Sequence, residues 1–247
     1  MQYERDYFIH YYDTGLNRKA TISSMMRYFE DIAILHSEAV NIGLDYYYGN
    51  EVVWVLYKWD IKINRYPKFQ ETVKVRTKAC SLKGFQAYRS FDILDSAGKI
   101  LVTANSMWLF VNTKTKRPTK ITEDMFKHYE VDRTKMEELP IGEVRQLQKE
   151  DKKKEFYIRY SDIDTNNHVN NITYVDWAIE VIPEDILKDY NLKELKVFYK
   201  KEIGYGKMIS SSVEILNNES NLECVHLISA GGVPLCQLET MWVKEQL

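Results

Sequence analysis

Apolar side chains recur at spacings of three and four between residues 20 and 36, which predicts an amphipathic helix. Thr21 stands where an N-cap residue is expected, and Gly43 is a natural stop signal. The helix should bury one face in a core. The recurring apolar positions are Ile22, Met25, Met26, Phe29, Ile32 and Ala33.

On both sides of this helix the pattern changes to the alternation and β-branched runs that are typical of strands. Val73 and Val75, for example, share one face of a predicted strand, and Lys74 lies on the other. The aromatic stretch DYYYGN, residues 45–50, is interpreted as a loop. Strands are predicted over residues 3–12, 52–63, 72–79, 85–94 and 100–111.

Residues 113–155 differ from the strands before them, because Lys, Arg, Glu and Asp dominate and two prolines interrupt the segment. We interpret this segment as a charged linker that contains one short helix near residues 123–129. The run DKKKE at its end is interpreted as a solvated approach to the next strand.

After this segment the order of elements begins again. A strand over residues 156–160 leads into the polar stretch SDIDTNNHVNN, residues 161–171. A helix follows over residues 172–182, and Pro183 ends it. Further strands are predicted over residues 195–202, 210–216, 222–230 and 233–244.

The chain is therefore interpreted as two copies of one α+β unit, each with a strand, a polar turn, a helix and about four strands. In sequence, IHYYDTGLN from Ile9 lies over IRYSDIDTN from Ile158, RYPK (65–68) over GYGK (204–207), and Met107 over Met241. An antiparallel sheet that wraps around one long helix is a hotdog, so we expect a tandem, or double, hotdog. The predicted boundaries are 1–112 for the N-terminal hotdog, 113–155 for the linker and 156–247 for the C-terminal hotdog.

Composition and charge exclude several classes of protein. A net charge of −2 and a pI of about 6.3 argue against a protein that binds nucleic acid through a basic surface. The N-terminus lacks the apolar run of a signal peptide, and no window approaches 18 apolar residues, so no membrane span is expected. Three cysteines without metal-ligand spacing indicate a reducing compartment, which we take as cytoplasmic. Neither a metal nor another cofactor is predicted, because no ligand spacing and no phosphate-binding glycine loop occurs.

The stretch SDIDTNNHVNN has two interpretations, a polar turn that caps the following helix or a functional site. Comparison of the two copies favours a site, because one copy carries an acid and an imidazole where the other does not. A turn with a purely structural role has no obvious reason to diverge in this way. The positions that face each other in this comparison are Gly15 with Asp164, Asn17 with Asn166, and Lys19 with His168.

The spacing of Asp164, Asn166 and His168 is i, i+2 and i+4. In an extended segment, all three side chains would point the same way and present an acid, an amide and an imidazole together. The N-terminus of the predicted helix follows at once, and its free N–H groups favour negative charge. Such a face suits a reaction in which a water is deprotonated and an oxyanion is stabilised.

Three segments, SDIDTNNHVNNITYVDW, WVLYKWDIKINRYPKF and FYKKE, together with the tandem layout, resemble the acyl–acyl-carrier-protein thioesterases. The resemblance implies hydrolysis of fatty acyl–carrier-protein thioesters, which releases free fatty acid and ends chain elongation. It also implies that the second hotdog is catalytic, with catalytic residues Asp164, Asn166, His168 and, on a strand after the helix, Glu202. Some members have a cysteine after that glutamate, but Ile203 stands here, so a cysteine nucleophile is not available at this position.

The residues leave the division of roles open. Glu202 or His168 can accept the proton of the attacking water, and a transient acyl–carboxylate intermediate is a further alternative. We favour Glu202 as the group that activates water, with Asp164, Asn166 and His168 positioning and polarising. Asp164 is also placed to fix the tautomer of the imidazole.

The resemblance also places much of the acyl pocket in the first copy, where Met25, Met26, Phe29 and Trp54 are the candidate lining. Acyl carrier protein is acidic, so a basic surface should receive it, and the candidates are Arg65, Lys68, Lys114, Lys116 and Arg117. Alternative functions are an acyl-CoA thioesterase, a hotdog dehydratase or hydratase, and a hotdog that binds acyl thioesters without hydrolysing them. One chain already holds a pair of hotdogs, and a homodimer is compatible with the sequence.

Overall fold

The computed structural model describes residues 1–137, 139–218 and 221–244, which form two compact units. The first unit comprises Met1–Tyr57 and Ile63–Ile141, and the second comprises Lys58–Lys62 and Gly142–Leu247. The predicted domain boundaries at 112/113 and 155/156 stay predictions. The segment predicted as a linker contributes to both units.

The first unit is an antiparallel sheet with one long helix against it. The helix α1 covers Ile22–Ala39, and two short helices, α2 and α3, cover Leu44–Gly49 and Glu123–His128. The strands pair in the order β1-β3-β4-β5-β2, and β6 pairs with β5. The strands are β1 (Gln2–Phe8), β2 (Val52–Ile63), β3 (Thr72–Lys83), β4 (Gln86–Leu94), β5 (Ile100–Asn112) and β6 (Arg117–Pro118).

Sequence pattern explains the position of α1. The predicted N-cap is confirmed, because the Thr21 hydroxyl accepts a hydrogen bond from the N–H of Ser24 at 3.1 Å. The apolar stripe is buried as predicted, with Met25, Met26 and Phe29 fully inaccessible. The Phe29 ring packs on Phe91 of β4 at 5.1 Å between centroids. This contact fixes the helix on the sheet.

The second unit repeats the arrangement on a smaller scale. The helix α4 covers Asn171–Ile179, and α5 covers Glu184–Asp189. The strands pair antiparallel in the order β8-β11-β10-β9-β7, and Lys58–Lys62 of β2 pair with β8. The strands are β7 (Lys152–Tyr157), β8 (Tyr190–Tyr199), β9 (Met208–Asn217), β10 (Leu222–Ala230) and β11 (Val233–Lys244).

The predictions for three segments were wrong for physical reasons. The aromatic stretch 45–50 is not a loop but most of α2, because Tyr47 reaches the core, where its hydroxyl lies 3.0 Å from that of Tyr129. The charged run 151–155 is largely strand β7 itself, an edge strand whose charges face water. The strand predicted to run to Glu202 ends at Tyr199, and a short helix, α5, precedes it.

Candidate active site

The polar stretch of the second unit is a closed loop held by main-chain hydrogen bonds. The N–H of Asp164 donates to the carbonyl of His168 at 2.8 Å, and Ile163 and Val169 form an antiparallel bridge. The first unit has the same loop, in which the N–H of Gly15 donates to the carbonyl of Lys19 at 3.0 Å. The predicted correspondence of Gly15 with Asp164 and Lys19 with His168 is therefore confirmed.

This loop reverses the chain, so the predicted polar turn is confirmed, and the extended geometry considered for Asp164, Asn166 and His168 does not apply. Asn167 has a φ of 63°, and its counterpart Arg18 has a φ of 57°. Asn adopts this left-handed conformation more readily than most residues do. The alternation of side chains along the sequence does not indicate such a turn. Asp164 and His168 are consequently brought together by the turn and not by strand geometry.

An aspartate that the sequence analysis did not single out anchors each loop. The buried carboxylate of Asp162 accepts from the N–H of Arg159 at 2.8 Å and from its guanidinium at 2.7 Å. In the first unit, the carboxylate of Asp13 accepts from the N–H of His10 at 2.9 Å. Both copies carry aspartate at this position. A residue that the two loops share indicates a structural role in the loop.

Asp164 organises the inside of the loop. Its Oδ1 accepts hydrogen bonds from the N–H groups of Asn166 at 2.8 Å and of His168 at 3.4 Å. The Asn166 amide Nδ2 lies 3.4 Å from Asp164 Oδ2. The carboxylate therefore holds the main chain on both sides of the turn and the amide of Asn166, but it is not the partner of the His168 ring nitrogen.

The partner of His168 is Glu202. Nδ1 of His168 lies 3.2 Å from Oε2 of Glu202, and the two side chains are 36% and 56% exposed. Glu202 lies beyond the end of β8, in a segment tied to the loop because the N–H of Val169 donates to the carbonyl of Ile203 at 3.0 Å. The structure thus brings Asp164, Asn166, His168 and Glu202 to one place.

The first unit lacks this partner as well. The N–H of Ala20 donates to the carbonyl of Pro67 at 2.8 Å, as that of Val169 does to Ile203, so Tyr66 occupies the position of Glu202. The sequence alignment of RYPK with GYGK was therefore out of register by three residues, and in the structure Gln70 (φ 67°) stands opposite Gly206 (φ 76°).

The geometry of the pair defines what it can do. When the carboxylate of Glu202 accepts from the Nδ1–H of His168, Nε2 is left as the unprotonated nitrogen of a neutral ring. The same contact leaves Oε1 of Glu202 open to other partners. A partly exposed carboxylate and an imidazole within 3.2 Å thus supply one or two acceptors for the proton of a water.

Family models match nearly the whole chain. The description "Acyl-ACP thioesterase N-terminal domain" covers residues 1–129, and "Acyl-ACP thioesterase C-terminal domain" covers residues 145–244. The chain belongs to the acyl-ACP thioesterase family. Asp164, Asn166, His168 and Glu202 all lie in the C-terminal family domain.

Curated relatives of this family member include plant proteins. A palmitoyl-acyl carrier protein thioesterase of Cuphea hookeriana is 29% identical over 224 residues, which are 85% of this chain and 54% of the relative. A dodecanoyl-[acyl-carrier-protein] hydrolase of Cinnamomum camphora is 26% identical over 97% of this chain and 67% of its own length. Both carry the description chloroplastic. The chain spans about half the length of the first of these relatives.

Solved structures establish the fold. A protein of Lactobacillus plantarum provisionally named an oleoyl thioesterase superimposes with a TM-score of 0.93 at 25% identity, over 100% of this chain and 98% of the other. A 12:0-ACP thioesterase of Umbellularia californica gives 0.85 at 22% identity, over 99% and 94%. The predicted α+β tandem hotdog is confirmed.

The three cysteines of this family member are all free. Cys224 and Cys236 are buried in strands β10 and β11, and Cys80 is half-buried in β3. Burial raises the pKa of the Cys224 thiol to about 12 and raises that of Cys236 well above its ordinary value. Thiols in this state are poor nucleophiles at neutral pH.

A cysteine-free variant should therefore keep its activity. We expect Cys80→Ser combined with Cys224→Ala and Cys236→Ala to retain kcat within about threefold, because a neutral buried thiol contributes packing and not chemistry. Thioester hydrolysis should be measured beside a thermal melt. Loss of turnover in a variant that melts like the wild type would contradict this expectation.

The candidate pocket residues do not form one cluster. Met25, Met26 and Phe29 lie on the buried face of α1. Trp54 belongs to another cluster, in which its ring lies 4.7 Å from that of Phe110 and its Nε1 donates to the Tyr47 hydroxyl at 3.1 Å. The proposed lining thus spans two regions of the interior of the first unit.

The candidate basic residues differ in how free their charges are. Arg65 forms two hydrogen bonds with the carboxylate of Glu71, at 2.6 and 3.0 Å, so its charge is largely neutralised. Lys114 pairs with Glu51 but remains exposed. The other three candidates, Lys68, Lys116 and Arg117, are exposed in and around turns and strand β6.

One residue at this site escaped the sequence analysis. Tyr174 of α4 is buried, and its ring packs on Tyr199 at 5.9 Å and on Trp177 at 5.6 Å between centroids. Tyr199, against which this ring packs, donates from its hydroxyl to the carbonyl of Asn171 at the start of α4, at 3.0 Å. The sequence signal for Tyr174 was again a difference between the two copies, because Met25 occupies in α1 the position that Tyr174 occupies in α4.

In the described part of the chain, no helix has the length and hydropathy needed to span a membrane.

Proposed function

We propose that this protein hydrolyses fatty acyl–acyl-carrier-protein thioesters and releases free fatty acid. The observation that carries the proposal is the contact between His168 and Glu202 at 3.2 Å, beside a loop organised by Asp164, in the unit whose polar positions differ from those of its copy. Membership of the acyl-ACP thioesterase family supports the same reaction class.

In the proposed mechanism Glu202 activates a water. The His168 Nδ1–H donates to Oε2 and orients the carboxylate, so that Oε1 accepts the proton as the water oxygen attacks the thioester carbonyl carbon. The amide of Asn166, held by Asp164, is the candidate donor to the oxyanion that forms. Collapse of the tetrahedral intermediate breaks the C–S bond, and the proton on Oε1 of Glu202 passes to the leaving sulfur. The products are a fatty acid and the carrier thiol, and the carboxylate is regenerated.

A carboxylate as base also fits the surroundings of the pair. Glu202 is more exposed than His168, so a water has direct access to it. The neighbouring position is filled by Ile203, a buried aliphatic residue that offers no nucleophile. The proposed chemistry therefore depends on one carboxylate, one imidazole and one amide.

The remaining assignments are parts of the same proposal. Acyl carrier protein is the proposed partner, and the exposed Lys68, Lys114, Lys116 and Arg117 are proposed to contact its acidic surface. Arg65 is the weakest member of that set because Glu71 neutralises it. The acyl chain is proposed to lie against Met25, Met26, Phe29 and Trp54. The cysteines, which are free, support a cytoplasmic location.

The proposal is tested by comparing carriers of the same acyl group. We expect fatty acid release from acyl carrier protein substrates with a kcat/KM at least about tenfold above that for the matching acyl-CoA, because a protein carrier adds electrostatic contacts. The measurement is free fatty acid released from a series of chain lengths on both carriers, with Glu202→Gln as the inactive control. A preference for CoA would replace the proposed substrate by that of an acyl-CoA thioesterase. Binding of either substrate without turnover would favour a sensor.

A further inference from the structure

Three lysines accompany the carboxylate of the candidate site in the segment between β8 and β9. Lys200 and Lys201 immediately precede Glu202, and Lys207 lies five residues after it. All three side chains are exposed, and in the described part of the chain none of them pairs with a carboxylate. The nearby carboxylates of Glu202 and Asp164 are engaged with the imidazole and with the loop. The surface beside the reactive pair therefore carries basic charge that the chain itself does not neutralise.

Exposed aromatic rings lie in the same segment and in the loop that it contacts. The ring of Tyr205, three residues after Glu202, packs edge to face on that of Tyr160 at 6.0 Å between centroids. The two side chains are 56% and 81% exposed, and tyrosine at such positions is typical of protein interfaces. The first unit has a similar pair, Tyr11 with Phe69 at 6.1 Å, so the rings alone do not distinguish the two copies. Further exposed apolar side chains, on β7 and β9, are Tyr157 and Met208.

Main-chain hydrogen bonds align the segment with its counterpart in the first unit. At its start, the N–H groups of Lys200 and Lys201 both donate to the carbonyl of Leu235, at 2.8 and 3.1 Å. At its end, the carbonyl of Lys207 accepts from the N–H of Ile158 at 2.9 Å. The first unit repeats both arrangements, with Asn64, Arg65 and Leu101 at the start and Glu71 and Ile9 at the end.

The aligned positions differ in charge. Lys200 corresponds to Asn64, and Lys207 corresponds to Glu71. The remaining lysine corresponds to Arg65, whose guanidinium the carboxylate of Glu71 neutralises through hydrogen bonds of 2.6 and 3.0 Å. The two copies thus share an aromatic pair, but the basic charge is uncompensated only in the copy that carries the candidate site.

We propose that Lys200, Lys201 and Lys207, together with the exposed rings, form a docking surface on the second unit for the acidic acyl carrier protein. The inference rests on the proposed function for the identity of this partner. Basic charge attracts and orients an acidic protein, and here it would do so within five residues of Glu202, which must meet the thioester. A second copy of this chain would bring like charges together and does not fit the surface. This surface acts in addition to the basic residues proposed for the first unit.

Lys200→Asn combined with Lys207→Glu tests the surface, because it introduces the residues that the aligned backbone of the first unit carries. We expect kcat/KM for the carrier-protein thioester to fall at least about tenfold, mainly through KM, and to depend less on ionic strength. Hydrolysis of the same acyl group on N-acetylcysteamine, a short uncharged thiol, should change by less than about twofold. The matched control is Lys99→Glu with Lys127→Asn, the same change of charge at exposed lysines of the first unit, which should affect neither substrate.

Several outcomes would overturn the docking surface. Wild-type kinetics with the carrier protein, or an equal loss with N-acetylcysteamine, would show that the lysines do not recognise the carrier. An equal loss with acyl-CoA would show that they bind phosphate groups and not an acidic protein. Binding to phosphatidylglycerol vesicles that the double variant loses, with unchanged carrier kinetics, would assign the surface to a membrane.

Direct binding separates this proposal from the proposed function. If the wild type hydrolysed no thioester, the proposed function would fail, and titration of acyl carrier protein against the wild type and the double variant would still decide the docking surface. A Kd at least about tenfold weaker in the variant supports the surface, and equal Kd values overturn it.

Discussion

Glu202→Gln is expected to lower kcat at least about 100-fold while the thermal melt is unchanged, because the amide cannot accept a proton from water. His168→Ala should cost a similar factor, since it removes the only ring that contacts Oε2 of Glu202 among the described residues. Both side chains are partly exposed, so neither change leaves a buried cavity. KM should change little in either variant, because the lost interactions act on the reacting water.

The internal repeat supplies a matched control. Lys19 occupies in the first unit the loop position that His168 occupies in the second. Lys19→Ala should therefore leave kcat within about twofold of the wild type. This result would show that the loss of kcat in His168→Ala is specific to the loop of the second unit. The dependence of kcat on pH in Glu202→Gln and His168→Ala then shows which group carries the base. Near-normal turnover in either variant would remove that residue from the mechanism.

The second large effect is on stability in mild acid. His36 and His226 are fully buried, and burial lowers the pKa of each from 6.5 to about 3. His36 also faces the guanidinium of Arg89, 3.0 Å from its Nδ1, which opposes a second positive charge. Tyr3 and Tyr129 pack against the His36 ring, and the hydroxyl of Thr240 lies 3.0 Å from His226 Nε2. Neither ring has a carboxylate partner among the described residues.

The sign of the effect follows from proton binding. Below pH 6.5 the unfolded chain protonates both histidines, whereas the folded chain does not until the pH approaches 3. The free energy of unfolding should therefore fall as the pH drops through this range, by about 1.4 kcal/mol per pH unit for each histidine. Between pH 6.5 and 5 the two together should remove about 3 kcal/mol, because at pH 6.5 each unfolded histidine is only half protonated.

Chemical denaturation at pH 7, 6 and 5 measures this loss. The carboxylates whose pKa is lowered, such as Glu71 and Glu239, act at lower pH, so the window above pH 5 reports the histidines. His36→Gln and His226→Gln should each remove about half of the slope in that window, whatever their effect on stability at pH 7. A slope that neither variant changes would show that other groups control the acid response.

The sequence was most informative where a single local rule decides the outcome. The stripe of α1 and its Thr21 cap follow from periodicity and capping, and the difference between the two polar loops follows from the repeat. Local rules gave wrong predictions where a contact between residues distant in the chain determines the secondary structure. Tyr47 lies in helix α2, where its hydroxyl contacts that of Tyr129, a residue distant in the chain. The charged residues of β7 form a strand because they pair with β9.

The candidate site shows the same division. The residue types Asp164, Asn166 and His168 were evident from the motif, but their arrangement depends on the positive φ of Asn167, which alternation does not encode. The contact of His168 with Glu202 joins residues far apart in the chain, so the sequence supplied it only through family resemblance. Tyr174 has the pattern of an ordinary core residue of a helix, and only the comparison with its counterpart Met25 distinguishes it.

The loop shared by the two units also bears on which residues the first copy could hold. At Gly15 the φ is not left-handed, and a Cβ would meet only the Thr21 methyl at 3.7 Å, an ordinary contact. An aspartate would therefore fit there without strain, as Asp164 does in the other loop. The backbone of the first copy therefore accommodates the polar residues of the second, and Gly15→Asp with Lys19→His is the natural starting point for engineering a second polar loop.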